Sequence, residues 1–497
     1  MRRLVASALA ALLAPAALAL FLAFVAAPAS SAHAAGRLVS GPLLGYQTHC
    51  EVAIWLETEN AREISLTYIR ADLPPQATVG STSLTTPAAS SPPTETPQPV
   101  TVTLVAPSPT PAGGQPIKFI LGPLEMGARY TYTVAIDGLP APRPYPLAFR
   151  TTAQHEHRGP APDFSFLFGS CAYFNDPPYD RPGRPYGTDV ADIWSTMAAS
   201  GADFMLWLGD TLYLRESDFS SASGIWYRYR TDRATPALQP FLAAMPHYAT
   251  WDDHEFGPNN ANGHWPLAPI ARAAFEAYWP NQTFGTPRDP AALYHRFQWG
   301  DAVFLLLDNR THRVDSTTRE DLPGYPKTQY GPAQLAWLKQ QLASRNEGGA
   351  RRHQKLTFIA TGAQFLSERT YPDSEDHHRF QAERAEILDF IRANRIGGVV
   401  FISGDVHYSE VLRRDAPLPY PLYEFTSSSL TAGAHTRELP ADPGRVLAVQ
   451  QNNYARIALS GSPDARLLTF TVHDATGREL ARHTVPVADL AWPAETP

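Results

Sequence analysis

Cysteine is almost missing from this chain of 497 residues. Cys50 and Cys171 are the only two, so no disulfide framework can hold the fold together and at most one bridge is available. Surplus positive charge is missing as well. The net charge of -7 argues against a nucleic-acid backbone as the main partner. Between Gly36 and Arg150 there is no amphipathic helical pattern, only short alternating runs. What is present, 44% hydrophobic and 11% aromatic residues, is the composition of a globular protein, and the length exceeds one ordinary core, so two domains are expected.

The N-terminus reads as an address. Arg2-Arg3 precede an apolar run from Leu4 to about Ala29, and Ala32-His33-Ala34 stands before Ala35. These are the charged, apolar and small-residue regions of a secretory signal peptide over residues 1–34, which places the mature chain outside the cytoplasm, secreted or in the cell envelope. An uncleaved anchor is the alternative, because the run is long enough to span a bilayer. Pro15, Pro28 and the Ala-x-Ala site favour cleavage, which leaves no stable membrane span. The Arg pair also raises twin-arginine export, but no Ser or Thr precedes it and Leu-Val follows.

Residues 36–152 carry strand-like alternation at Glu51–Glu57, Glu63–Ile69, Val100–Val105 and Tyr130–Ile136, which predicts a small antiparallel β-sandwich. Much of the proline, 47 residues in all, falls in a Pro/Ser/Thr-rich loop at 73–99 and a second patch at Pro107–Pro116. Cys50 lies in an apolar pattern and reads as a buried filler. Residues 153–162 are polar and aperiodic, a linker. From 163 to 490 strands alternate with helices expected at Thr188–Trp194, Ala268–Tyr278, Pro332–Ser344 and Gln381–Asn394, and a hairpin is expected from Leu467–Val472 to Glu479–Val485. The expected fold class is α/β, a four-layer α/β/β/α sandwich in which the first two strands of the second domain are parallel neighbours.

The chemistry sits at strand ends. FSFLF leads into Gly169-Ser170-Cys171; FMLWL into Gly209-Asp210 and Tyr213; HYAT into Trp251-Asp252-Asp253-His254-Glu255; AVFLLL into Asp308-Asn309-Arg310; LTFIAT into Gly362-Ala363-Gln364; and VVFIS into Gly404-Asp405-Val406-His407. Ligands of open α/β sheets bind outside the carboxyl ends of the strands, so these residues describe one pocket, read as a metal site. Asp210 is the natural bridge between two ions. Cys171, Tyr213 and His407 form a set suited to a trivalent ion, and Asp253 and Asp405 an oxygen set suited to a hard divalent one. Alternatives remain for each residue: a turn Asp for Asp210, an interfacial aromatic for Tyr213, a disulfide with Cys50 for Cys171. His254 would hydrogen-bond a substrate oxygen or protonate a leaving group, or is a satisfied histidine. Arg310 suits bidentate phosphate recognition, or an ion pair with Asp308. Gln364 and Glu410 would orient ligands, or are polar caps.

The order Gly-Ser-Cys, Gly-Asp-x-x-Tyr, Trp-Asp-Asp-His-Glu, Leu-Asp-x-Arg, Gly-Asp-Val-His-x-x-Glu resembles the PhoD-like alkaline phosphatases, a branch of the calcineurin-like metallophosphoesterases, over about residues 164–430. The resemblance implies iron(III) held by Cys171, Asp210, Tyr213 and His407, with calcium bridged through Asp210 to Asp253 and Asp405, and a further calcium within reach of Asn259 or Asn260. It implies hydrolysis of small phosphate mono- and diesters by metal-activated hydroxide, with Arg310 and His254 steadying the developing charge. A phospholipase-like or teichoic-acid-like phosphodiesterase is the rival within chemistry, with loops at Tyr173–Gly187 and Ser217–Leu242 as a roof over the substrate. A non-catalytic surface-binding protein is the rival from another class.

Overall fold

The computed structural model describes residues 34–71, 97–344 apart from 157, 184 and 191, 355–369, and 374–493. The expected signal peptide and most of the Pro-rich loop lie outside these residues.

Eight strands come first: β1 (Arg37–Gln47), β2 (Val52–Glu59), β3 (Glu63–Arg70), β4 (Val100–Val105), β5 (Gln115–Leu121), β6 (Arg129–Ile136), β7 (Leu139–Pro140) and β8 (Ala148–Arg150). They form two antiparallel sheets, β1-β2-β5 and β4-β3-β6-β7 with β8 also on β6. Alternation in β6 buries Tyr130, Tyr132, Val134 and Ile136 on one face against Ile54, Leu56 and Phe119. β1 and β5 were not expected. Gly41-Pro42 interrupts the alternation of the first, and the second begins inside a Pro/Gly-rich patch. Cys50 corrects the reading of a buried filler. It is an exposed free thiol at the tip between β1 and β2, where Thr48 N donates to Glu51 O (2.8 Å) and Thr48 Oγ1 accepts from Cys50 N (3.3 Å).

The chain then alternates: β9 (Phe164–Gly169), α1 (Asp192–Ala198), β10 (Phe204–Leu208), α2 (Ala222–Arg233), α3 (Gln239–Ala244), β11 (His247–Thr250), α4 (Asp253–Phe256), α5 (Ala268–Tyr278), β12 (His295–Trp299), β13 (Ala302–Leu306), α6 (Gly331–Ala343), β14 (Leu356–Ala360), α7 (Gln381–Ala393), β15 (Val399–Ser403), β16 (Ser409–Arg414), β17 (Leu422–Thr426), β18 (Arg445–Val449), β19 (Tyr454–Ser460), β20 (Leu467–His473) and β21 (Glu479–Pro486). One sheet runs β11-β10-β9-β19-β20-β21, the other β12-β13-β14-β15-β17-β16-β18. β9 and β10 are parallel neighbours, and β20 and β21 pair antiparallel. β9, β10, β13, β14 and β15 are buried along their whole length, which is why they read as continuous apolar runs.

Aromatic side chains weld the sheets face to face. Phe166 stacks on Phe204 at 5.0 Å and meets Phe304 edge-on at 5.1 Å, and Phe304 stacks on Phe358 at 4.9 Å. On the outer face of the first sheet Trp194 of α1, Ile225 of α2, Phe241 of α3 and Phe275 of α5 cover Met205 and Trp207. On the outer face of the second, Leu338 and Leu342 of α6 and Ile387 and Ile391 of α7 cover Leu305, Ile359 and Phe401. The result is an α/β fold in four layers.

Ser217–Leu242 does not form a roof loop. It holds α2 and the start of α3, with Ile225, Tyr229 and Phe241 buried against the first sheet. The segment read as loop because charged residues interrupt its apolar period, and Arg228 and Asp232 are buried by pairing with each other. These two helices and α5 carry the N-terminal sheets. Ser40 Oγ donates to Arg233 O (2.8 Å), Gly41 N to Gln239 Oε1 (2.7 Å), Trp55 Nε1 to Ala277 O (2.8 Å) and Tyr278 OH to Glu57 Oε1 (2.7 Å). The described residues from Gly36 onward accordingly group as one compact unit.

Candidate metal centre

Each parallel strand stops where a polar side chain must turn into the cleft, and the backbone shows the cost. Cys171, Asp210, Asp405 and His407 have φ of 59°, 51°, 71° and 61°, a left-handed region that non-glycine residues seldom occupy. Such strain gathers at functional sites. Gly209 (φ 81°) precedes Asp210 because a Cβ there would stand 2.5 Å from Asp252 Cβ.

Two groups of donor atoms form, each with all its members within 4.8 Å of one another: Cys171, Asp210 and His407, and Asp210, Asp253 and His254. Asp210 belongs to both. Tyr213 joins the first group, its hydroxyl 3.2 Å from Asp210 Oδ2 and 3.3 Å from His407 Nε2. Cys171 Sγ lies 3.4 Å from Asp210 Oδ2 and accepts from Ser428 Oγ at 3.1 Å, so it is free of any disulfide. His407 Nδ1 donates to Gly433 O (2.6 Å), which leaves the Nε2 lone pair facing the group. Asp405 stands outside both groups. Its amide is held by Ser170 Oγ (3.1 Å), and burial together with Asp252, Glu375 and Asp253 raises its carboxyl well above the usual range.

Asp210 defines the electrostatics. It is buried, and the charges that act on it most, Cys171, Asp253, Asp252 and Glu255, are all acidic, so its carboxyl is raised well above the ordinary value. Burial likewise pushes the Cys171 thiol up to about 12. Asp253 goes the other way. Burial opposes its ionisation, but His254, Arg310 and the Asn260 amide (2.6 Å) hold it down at about 2. His254 is lowered by burial, its ring lies 4.1 Å from that of Tyr213, and its buried Nδ1 has no partner. A buried carboxylate among other acids is costly unless a cation joins it. Sulfur, phenol and imidazole around one side of Asp210, with carboxylate and imidazole on the other, make a donor set that fits metal ions.

Arg310 departs from both of its expectations. Asp308 accepts only its backbone amide (3.0 Å), while the guanidinium is fully buried: Nε donates to Asp252 Oδ1 (2.5 Å), Nη1 and Nη2 to the two oxygens of Glu375 (2.7 and 3.2 Å), and Nη2 also pairs with Asp252. It stands 3.9 Å from Asp253. Gln364 and Glu410 bond each other (2.7 Å), and Arg445 closes on Glu410 (2.6 Å), so they cap the second sheet. Asn260 meets Asp253 through its amide, while its side chain pairs with Asn259 (2.8 Å).

Sequence reasoning placed Asp252 and Glu255 at the pocket without a role and missed Glu375. Glu255 takes the amides of Asp210 (2.8 Å), Thr211 and Asp252 (3.1 Å), fixing the bridge residue in place. Asp252-x-x-Glu255 is a legible capping-box spacing, and the box is present on α4. Glu375 carries no such signal.

The solved structure of PhoD matches this fold with a TM-score of 0.65 at 18% identity, over 88% of this chain and 91% of that one. Purple acid phosphatase PPD1 from yellow lupin seeds (Lupinus luteus) matches with a TM-score of 0.60 at 11% identity, over 92% and 77%. The two-sheet architecture is therefore one that this chain shares with both structures. In sequence, alkaline phosphatase D of Bacillus subtilis (strain 168) is 26% identical over 365 residues, which span 63% of this chain and 60% of that protein's length. The model of the PhoD-like phosphatase family matches residues 166–477, and the chain belongs to that family.

Proposed function

We propose that this chain is an exported, metal-dependent phosphoesterase that hydrolyses small phosphate mono- and diesters. The observation that carries the reading is the sharing of Asp210 between two donor groups. Cys171, Asp210, Tyr213 and His407 would hold iron(III); Asp210 and Asp253, with Asp405 alongside, would hold calcium. When bound, such a pair lowers the pKa of water and neutralises phosphoryl charge. The chain's own residues do the rest. Glu255 fixes Asp210, Gly433 O fixes the His407 tautomer, and Arg310 acts through the carboxylates of Asp252 and Asp253. His254, partly exposed with its Nε2 3.9 Å from Asp253, is the group placed to hydrogen-bond a phosphoryl oxygen or to protonate the leaving alkoxide. Residues 36–152 serve as a buttress that holds α2, α3 and α5 on the first sheet. Export rests on the Arg2-Arg3 and Ala-x-Ala pattern; among the described residues no helix is long and apolar enough to cross a membrane.

A panel of phosphate monoesters and diesters, assayed on purified protein before and after chelation, tests the reading. Hydrolysis lost on chelation and restored by iron with calcium supports it. Metal-free protein that retains its full rate overturns it.

A further inference from the structure

Tyr186 has no task in the chemistry described so far, yet its position is fixed. Gly187, next in the chain, forms a bridge with Ala432 and exchanges two hydrogen bonds with the Asn175 side chain (3.0 and 2.9 Å), and Thr188 N donates to Thr431 O (2.8 Å). The ring lies edge-on to Tyr173 at 4.9 Å and to Tyr213 at 5.8 Å, and tilted to His407 at 5.9 Å. Even so, the residue is 47% exposed.

Its orientation is the informative part. A surface tyrosine ordinarily buries its ring and keeps its hydroxyl in water. Here the hydroxyl is the inner end, 3.4 Å from His407 Nε2, and the charges of Cys171, Asp210 and Asp253 act on it. Much of the ring surface is left to solvent at the mouth of the centre. A phosphoryl group held by the donor groups must direct its ester substituent outward past this rim, and a rigid aromatic ring there offers a stacking face at little entropic cost.

We infer that Tyr186 is a specificity-determining wall for the alcohol portion of the ester, and that it favours leaving groups carrying a flat aromatic ring. The inference rests on the phosphoesterase reading for its substrate and on the ring's geometry for its selectivity. Binding separates the two. Calorimetric titration of the metal-loaded protein with phenylphosphonate and methylphosphonate, for wild type, Tyr186→Ala and Tyr186→Trp, reads the wall without turnover. Tyr186→Ala should weaken phenylphosphonate several-fold, up to about tenfold, more than methylphosphonate, and Tyr186→Trp should keep the preference. In turnover, the ratio of kcat/KM for phenyl phosphate to that for glycerol phosphate should fall by the same factor, through KM. Equal weakening of both phosphonates would make Tyr186 a prop for His407 and overturn the inference, as would no change in either. Wild type that shows the phosphonate preference but hydrolyses no ester would sink the phosphoesterase reading and leave the wall standing. Wild type that binds neither phosphonate would sink both.

Discussion

Two clusters of buried and half-buried acids flank Tyr173, and the protein treats them oppositely. In the first, Arg228 reaches Asp218 (2.8 Å), Asp232 (3.0 Å) and Asp176 (3.2 Å), and Arg215 reaches Asp180 (3.0 Å) while its guanidinium lies over the Tyr173 ring at 4.2 Å. Every carboxylate there has a guanidinium of the chain's own. In the second, Asp210 sits among Cys171, Asp253, Asp252 and Glu255, and the nearby guanidinium of Arg310 is spent on Asp252 and Glu375, with Arg313 also on Glu375. A closed cluster is structural and rigidifies. On the proposed function, an open one is completed from outside, by cations.

Breaking the open cluster should have the largest effect on chemistry. Asp210→Asn should lower turnover on the order of a thousandfold or more and release bound metal. Its melting temperature should stay close to that of wild type measured after chelation, because the apolar residues of β10 are untouched; metal analysis, calorimetry and an ester assay read this together. Near-normal turnover would refute the shared-ligand geometry. Breaking the closed cluster should instead cost stability. Arg228→Met removes the guanidinium shared by buried Asp218 and Asp232 and half-buried Asp176 and leaves Arg215 alone against them, and denaturant unfolding should show a loss of about 3–5 kcal/mol, with metal content per folded molecule unchanged.

A third buried acid sharpens the contrast through pH. Glu57, where the N-terminal sheets meet α5, is raised from 4.5 to about 7 by burial, against the opposing pull of Tyr278, Arg230 and Arg233. Its folded pKa lies above its unfolded one, so the folded state binds the proton more tightly. Stability is therefore greatest below the unfolded pKa and is lost as pH rises toward 7, by up to about 3 kcal/mol. Glu57→Gln should flatten the dependence of the melting temperature over that window, and an unchanged slope would remove Glu57 as its source. The smallest effect is spectroscopic. Phenolate and thiolate are oxidisable donors, so iron(III) held by Tyr213 and Cys171 should give a visible charge-transfer band, which zinc, with no redox chemistry, cannot give. Tyr213→Phe should shift or bleach the band, and Cys171→Ser should perturb it separately.

The strand tips were legible because fully buried parallel strands announce themselves as apolar runs that stop on Gly-Asp or Gly-Ser-Cys. α5 and α6 open on Pro269 and Pro332, and the β20–β21 hairpin followed from its turn residues. Contacts made across the sequence were not legible. Nothing near Glu375 in the chain says that it meets Arg310 some 65 residues away, and nothing near Gly41 says that it meets α3. Helix α2 was hidden because it buries Arg228 and Asp232 by pairing them, so charges interrupt the apolar spacing of Ile225 and Tyr229 on its inward face. Asp210 and His407 could be placed at one site from sequence, while the direction of the Arg310 guanidinium could not.

The central claim is that the Asp210 cluster is completed by cations, and metal stoichiometry tests it most directly. Elemental analysis of purified protein, set beside its ester hydrolysis, should find two or more ions per chain, iron among them, with activity lost as they are stripped. Fully active protein that contains no metal would contradict the account.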